Sequence, residues 1–585
     1  MILIIILYCI SFCLLFFNHG VYWDDWVMIV GKSPEFITNT VGHQVGYVIG
    51  PYIFNAINLF QSYTLYRSIT FFTYLVSGFF FYEILKSIKE INSKMRLLLS
   101  IFFLLFPAND ARVVLVILYY SLSYFFFYFG WWLLSRYFYR RELFFRIFAL
   151  LMFFISFTTS SFLFFYILIF VYIIYKEEQK LKSWRNIPYL ILQYCDFFIL
   201  PVIFYTLKLY FFRPYGIYHD YNEIQYTNII AAIYRSLSAY MFSFIMPIIN
   251  ALYSLCNVST INSTWHIIEK TDLHPYIHPL SSKDIYMLLK EFFSYSGKEF
   301  LKQNLVFLFG TLFSGIFILF LFLKKILGNT LYSRQYDAIK FFCFGCFAFY
   351  IAVFPYYVVN KSFQLFEAFS DRHLLLVSLG ASFMIVYGVQ IIKNMVKVRH
   401  TVIVLLYSVL IFVFMNYHIR INIDYLKDWY KQVSIMEQMK TDILFQEHTT
   451  FLFVDTMKEL NVYHRPYSIY EYTGFMRKVF DNEKRFGSNL DQFITVNNTG
   501  NESREKQLSF PESHGFKDSF IALYNMQEYT LKNPEFLVEI NSGSYELSDN
   551  NLFRLMYEEY GDKETYNTNV KNIVSFFLTP IPQHK

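Results

Sequence analysis

Apolar residues in this chain come in long runs, and lysine and arginine collect in the short polar stretches between them. A membrane helix needs about 20 mostly apolar residues, fewer when it packs inside a bundle. Runs meeting that description predict spans at 2–17, 64–85, 97–107, 113–134, 187–211, 303–323, 341–356, 373–392 and 401–417. Basic clusters fix the cytoplasmic side: KSIKEINSKMR (86–96), RYFYRRELFFR (136–146), KEEQKLKSWR (176–185), KKILGNTLYSRQYDAIK (324–340) and KNMVKVRH (393–400). One helix across 147–175 would put one of its two basic flanks outside. A hairpin of two short helices tipped by TTSS (158–161) keeps both inside, which brings the expected count to about eleven crossings. By the same reasoning, a single crossing at 229–256 would misplace Lys324 and Lys325, so that stretch is laid along the outer leaflet or made re-entrant. The opening run has neither a basic start nor a small-residue cleavage site and is expected to be retained as a first helix. The amino terminus is then cytoplasmic and the carboxyl terminus outside.

After about residue 420 the pattern changes. Short apolar runs bounded by turns (TTFLFVD, EFLVEINSGSY, NIVSFFLTP) alternate with charged helix-like segments such as YLKDWYKQVSIMEQMKTDIL. The fold class expected is an α-helical polytopic membrane domain over 1–420, with outer loops at 18–63, 108–112, 212–302 and 357–372, and an extracytoplasmic α/β domain over 421–585.

Composition sharpens the class. Of 585 residues, 56% are hydrophobic and 16% charged, with a mean hydropathy of +0.35, which a polytopic membrane protein accounts for. The net charge of +6 sits in the short loops, so it speaks to membrane orientation and implies no nucleic-acid partner. The six cysteines lie in or beside apolar runs and form neither a disulfide framework nor a zinc pattern. Abundant Phe, Tyr, Ile, Asn and Lys suggest a low-GC bacterial genome.

Candidate chemistry gathers in the outer loops. NHGVYWDDWVMIVGK (18–32) places Asp24 and Asp25 between two tryptophans. An aromatic interfacial belt explains the tryptophans but not a pair of acids, because a carboxylate near apolar surface costs free energy that Asn or Ser would avoid. A carboxylate shielded from water is a better base, since desolvation raises its pKa toward working pH. PANDAR supplies Asn109, Asp110 and Arg112 within one turn, where a helix cap and a functional role are compatible. VVNKSFQLFEAFSDRHLLLVSLG (358–380) supplies Lys361, Arg372 and His373. Arg372 opens a helix, where a phosphate would feel both the guanidinium and the helix dipole. An interfacial arginine paired with Asp371 is the plain alternative. His43 and Gln44 share the first loop, and His219 lies in RPYGIYHDYNE; each suits contact with a sugar or its phosphate, and each equally suits an ordinary surface loop.

The first helix followed by YWDDW, the short loop NDAR, the hairpin of short helices, SDRHLLL opening a late helix, and a terminal outer domain together resemble membrane glycosyltransferases of the GT-C superfamily. The layout is most similar to bacterial members that decorate cell-envelope polymers. That resemblance implies a polyprenyl-phosphate sugar as donor, a glycan or other envelope acceptor on the extracytoplasmic face, and inversion at the anomeric carbon. It also implies Asp24 or Asp25 as general base, Asp110 as a second acidic or metal-related position, and Arg372 at the donor phosphate; Asn109 beside Asp110, and His373 and Lys361 in the loop of Arg372, are candidates for the same two places by their position. His43, Gln44, Arg112 and His219 would be further substrate contacts. The short loop has one acid and no DxD, which leaves a divalent metal open, and no WWDYG-like motif marks an oligosaccharyltransferase. Two rival classes are an envelope polysaccharide polymerase or ligase, and a transporter built on Asp196, the one acid deep in a predicted helix.

Overall fold

The computed structural model describes residues 1–26, 63–177, 187–214, 229–256, 305–328, 334–359, 370–441, 443–447, 450–455, 460–481, 485–489 and 536–540. His43, Gln44, His219 and Lys361 fall outside them. The first helix α1 (Ile2–Phe12) tightens into a 3-10 turn at Cys13–Phe17. It is followed by α2 (Tyr63–Lys86), α3 (Ser93–Leu105), two 3-10 turns (Asp110–Val113 and Leu115–Ile117) and α4 (Leu118–Arg140). Then come α5 (Leu143–Ser156), α6 (Ser161–Phe165), α7 (Ile167–Lys176), α8 (Ile187–Gln193), α9 (Cys195–Phe211), α10 (Ile229–Cys256), α11 (Leu305–Leu327) and α12 (Gln335–Val358). A turn at Ser370–Leu374 leads into α13 (Val377–Val396) and α14 (His400–Thr441).

Among the described residues five helices are long and apolar enough to cross a membrane: Tyr63–Lys86, Leu115–Arg140, Gln335–Val358, Val377–Val396 and His400–Thr441. This is the make-up of a helical membrane protein. Ile2–Phe17, Leu143–Ser156 and Ser161–Lys176 are shorter apolar helices. The hairpin expected within 147–175 is present. Its chain breaks at Phe157–Ser160, where the Thr159 hydroxyl bonds that of Ser123 at 2.8 Å. Arg141, just before α5, meets Glu177, just after α7, at 2.9 Å, so the two ends return to one place. The stretch 229–256 forms one helix, α10. It packs on α12 through Tyr240 and Phe349, and on α14 through Asn416 and Ser254.

Close packing of α12 on α13 depends on absent side chains. A Cβ on Gly380 would stand 2.4 Å from the Phe349 nitrogen, and one on Gly345 would stand 2.7 Å from Phe383. Small residues at such crossings let backbones approach where lipid offers no hydrophobic drive.

Basic segments far apart in sequence gather at one end of the bundle. Glu90 takes the Tyr175 hydroxyl and lies 3.7 Å from Lys340, and Lys94 sits beside Gly328. At the opposite end α14 continues through residue 420, where the pattern of apolar runs had placed the end of the membrane domain. Its 42 residues reach about 63 Å at 1.5 Å per residue. Beyond it lie α15 (Ile443–Glu447), β1 (Thr450–Asp455), α16 (Ile469–Phe480), β2 (Phe486–Asn489) and β3 (Phe536–Ile540). The strands pair in parallel, in the order β2-β1-β3. Lys431 of α14 closes on Asp455, at the end of the central strand, at 2.6 Å.

Candidate functional site

Three of the loops carrying candidate chemistry meet at the end of the bundle opposite the basic segments. Arg67 ties two of them together. It stands one turn into α2, is 1% exposed, and donates to Val113 O (3.0 Å), Asn18 O (2.6 Å) and Gly20 O (2.5 Å). The Asp110–Val113 turn packs in its turn on Ser370–Leu374.

The two adjacent acids have different surroundings. Asp25 is 0% exposed, and both its oxygens accept backbone protons. Val116 N–H donates to Oδ1 at 2.9 Å, while Leu115 N–H (3.0 Å) and Tyr22 N–H (3.3 Å) donate to Oδ2. Leu115 and Val116 open the helical stretch leading into α4, whose first N–H groups have no partner within the helix. Asp25 therefore caps that start from a loop 90 residues away in sequence. Burial pushes its carboxyl up to about 7, against those N–H donors and the nearby Arg67.

Asp24 is half-buried, and among the described residues no backbone N–H claims it in this way. Burial pushes its carboxyl up to about 6. The Arg372 guanidinium opposes that rise, Glu471 adds to it, and the Trp23 indole and Arg465 favour the charged form. A carboxylate that titrates near neutrality and keeps access to its surroundings can take a proton, whereas one locked to three N–H groups serves mainly as a clamp. Arg372 is half-buried with its guanidinium 6.0 Å from the centre of the Tyr120 ring at the start of α4. His373 is buried, its ring 4.4 Å from that of Tyr356.

The PANDAR residues lie deeper. Asn109 is left-handed (φ 63°), and its amide donates to Tyr74 Oη at 2.6 Å, so it does not cap the following turn. Asp110 is buried, takes the Tyr417 and Tyr463 hydroxyls, the latter at 3.3 Å, and stands 4.0 Å from His418 Nδ1. Arg112 donates to Asn109 O and Ala108 O at 3.0 and 2.9 Å between the faces of Phe12 and Tyr74, a placement that accounts for it as a strut. Among the described residues no three metal-binding side chains cluster. Asp196, the transporter candidate, opens α9 and is gripped at both oxygens by Arg146 at 2.7 Å.

The segment after β1 completes the site. Glu471 is 0% exposed, forms a two-pronged pair with Arg465 at 2.6 Å on each arm, and accepts the Trp23 N–H at 3.2 Å. Trp26 donates to Gln432 of α14 at 3.2 Å and packs on Phe475, where Gly474 leaves it room. Arg67, Arg465 and Glu471 are parts of this site that loop-by-loop reading does not find. A lone arginine one turn into an apolar helix is the only local signal, and it points to Arg67 alone. No family model, curated protein or solved structure matches this chain.

Proposed function

We propose that the chain is a bacterial membrane glycosyltransferase of GT-C type. In this reading it moves a sugar from a polyprenyl-phosphate donor to a glycan or other cell-envelope acceptor on the extracytoplasmic face, with inversion. The observation that carries the reading is that Asp24, next to the Asp25 that caps the stretch leading into α4, lies in the field of Arg372, whose guanidinium sits by Tyr120 of α4, at the end of the bundle away from the basic segments. Lysine- and arginine-rich loops face the cytoplasm, which puts that end outside. About eleven crossings and an extracytoplasmic α/β tail fit this orientation.

Asp24 is the base that takes the proton of the attacking acceptor hydroxyl, and Arg372 offsets the charge of the leaving phosphate. Asp25 holds the loop to α4. Asp110 stands among tyrosines, and a role for a divalent metal there is left to titration. The pairing of Asp196 with Arg146 favours the transferase over the transporter. The test is turnover by purified protein on a panel of undecaprenyl-phosphate sugars, with Asp24→Asn and Arg372→Ala beside wild type. Loss of product in Asp24→Asn and a raised donor KM in Arg372→Ala are expected. Full turnover by Asp24→Asn would sink the reading.

A further inference from the structure

Six residues other than glycine have positive φ among the described residues: Trp23, Asn109, Arg141, Lys397, Tyr463 and Asp481. Arg141, Lys397 and Asp481 end helices, where the left-handed conformation is common. The other three, Trp23, Asn109 and Tyr463, all lie at the junction between the bundle end and the segment after β1, with Tyr463 reaching Asp110. A bulky residue held left-handed is strained and persists only where its surroundings over-determine it.

At Trp23 (φ 53°) the surroundings that do so are identifiable. Glu471 Oε1 takes its N–H, and the Arg465 guanidinium lies 5.1 Å from the centre of its ring. Glu471 also closes a capping box at the start of α16, with Ser468 N–H on Oε2 at 2.9 Å. That box occupies one oxygen and explains why the acid is placed there, but not why its other oxygen reaches 448 residues back to the loop carrying Asp24.

We propose that the buried Arg465–Glu471 pair is a positioning device for the reaction: it holds Trp23 left-handed and so sets Asp24 in the field of Arg372. The proposal rests on Asp24 as the base. The segment after β1 is thereby a working part of the site rather than an accessory that packs beside it. The charged groups facing Asp24 are Arg372 from the 370–374 turn and Glu471 and Arg465 from the tail segment, and the adjacent Trp23 indole hydrogen-bonds it.

The experiment uses the full chain in nanodiscs, with Glu471→Gln and Arg465→Lys beside wild type and Asp24→Asn. Two quantities are read: donor kinetics, and the pH dependence of carbodiimide labelling at Asp24, located by fragment-ion mass spectrometry. Labelling needs no glycosyl transfer, so it reports the carboxyl even where the base reading fails. Glu471→Gln is expected to lower the labelling midpoint by about one pH unit, because a like charge is removed and the Arg465 charge is no longer offset by Glu471. It is also expected to cut kcat about 10–100-fold with donor KM within about twofold, as misplacement of a reacting group does. Arg465→Lys keeps the charge but loses the fork, and stands in if Glu471→Gln does not fold; a kcat loss in the same direction is expected. A wild-type midpoint and wild-type kcat in the folded variants overturn the proposal. Full turnover in Asp24→Asn overturns the base reading instead, while a shifted midpoint in Glu471→Gln would still show that the pair sets the carboxyl.

Discussion

The two ends of the bundle handle charge in opposite ways. At the basic end most ion pairs sit at the rim: Lys340 with Glu90 and Arg140 with Glu142 are exposed in part on both sides, Arg136 is exposed beside a largely buried Glu83, and Glu177, buried against Arg141, is the exception. Exposed pairs of this kind are worth about 0–1 kcal/mol, and their value lies in fixing which way the protein is threaded. At the other end Asp25, Arg67, Asp110, Arg112 and Glu471 are buried. Burying a charge costs several kcal/mol unless hydrogen bonds replace the water, and each of these groups has such partners. Charge at the first end is inexpensive and replaceable, whereas at the second it is costly and kept, which is where chemistry is to be sought.

The contrast can be broken, or sharpened, by substitution. Asp24→Asn has the largest expected effect, a loss of about 10²–10⁴ in turnover with a thermal unfolding temperature in detergent no lower than that of the wild type. Asp25→Ala orphans three N–H groups, and Arg67→Met leaves three buried carbonyls without their donor. Each is expected to destabilise by about 2–4 kcal/mol, seen as a lowered Tm. The pH profile follows from the raised carboxyl of Asp24. A base works ionised, so kcat/KM is expected to climb through about pH 6 and level off above it. Both acids hold their protons longer in the folded chain than in the unfolded one. The stability tied to those protons is complete below about pH 4 and lost as pH rises through about 6 and then 7, so Tm in detergent is expected to decline across that window. Smallest of all, Lys340→Ala at the basic rim is expected to cost under about 1 kcal/mol and leave turnover untouched. A rim substitution that abolished turnover would erase the distinction between the ends.

What the sequence made legible was what depends on neighbours along the chain. The hairpin was readable because basic clusters holding Arg141 and Lys176 flank the apolar stretch on both sides, so that a single crossing would put one of them outside. The acid pair was readable because two carboxylates between tryptophans oppose the local apolar pattern. Which acid does what was not readable, since Asp25 is fixed by Leu115 and Val116, far away in sequence. Arg112 read as a candidate substrate contact from its place in the NDAR loop; Phe12, Tyr74 and two carbonyls enclose it. The charged segment YLKDWYKQVSIMEQMKTDIL (425–444) read as a helix of the outer domain, yet as far as Thr441 it continues α14, and Asp428 and Lys431 along it are buried. Amphipathic pattern does not reveal a helix that is surrounded on all sides. Glu471 had no signal beyond its capping box, because its second partner is across the whole chain.

That partnership has a consequence for how the protein is made. Trp23 leaves the ribosome 448 residues before Glu471 does. At about 5–20 residues per second, the loop bearing Asp24 waits roughly 20–90 s for the residue that fixes it. Through that interval the nascent chain holds its first helices with an unfinished loop beside them, so on the proposed reading the capacity to react would arrive only once Glu471 has been made.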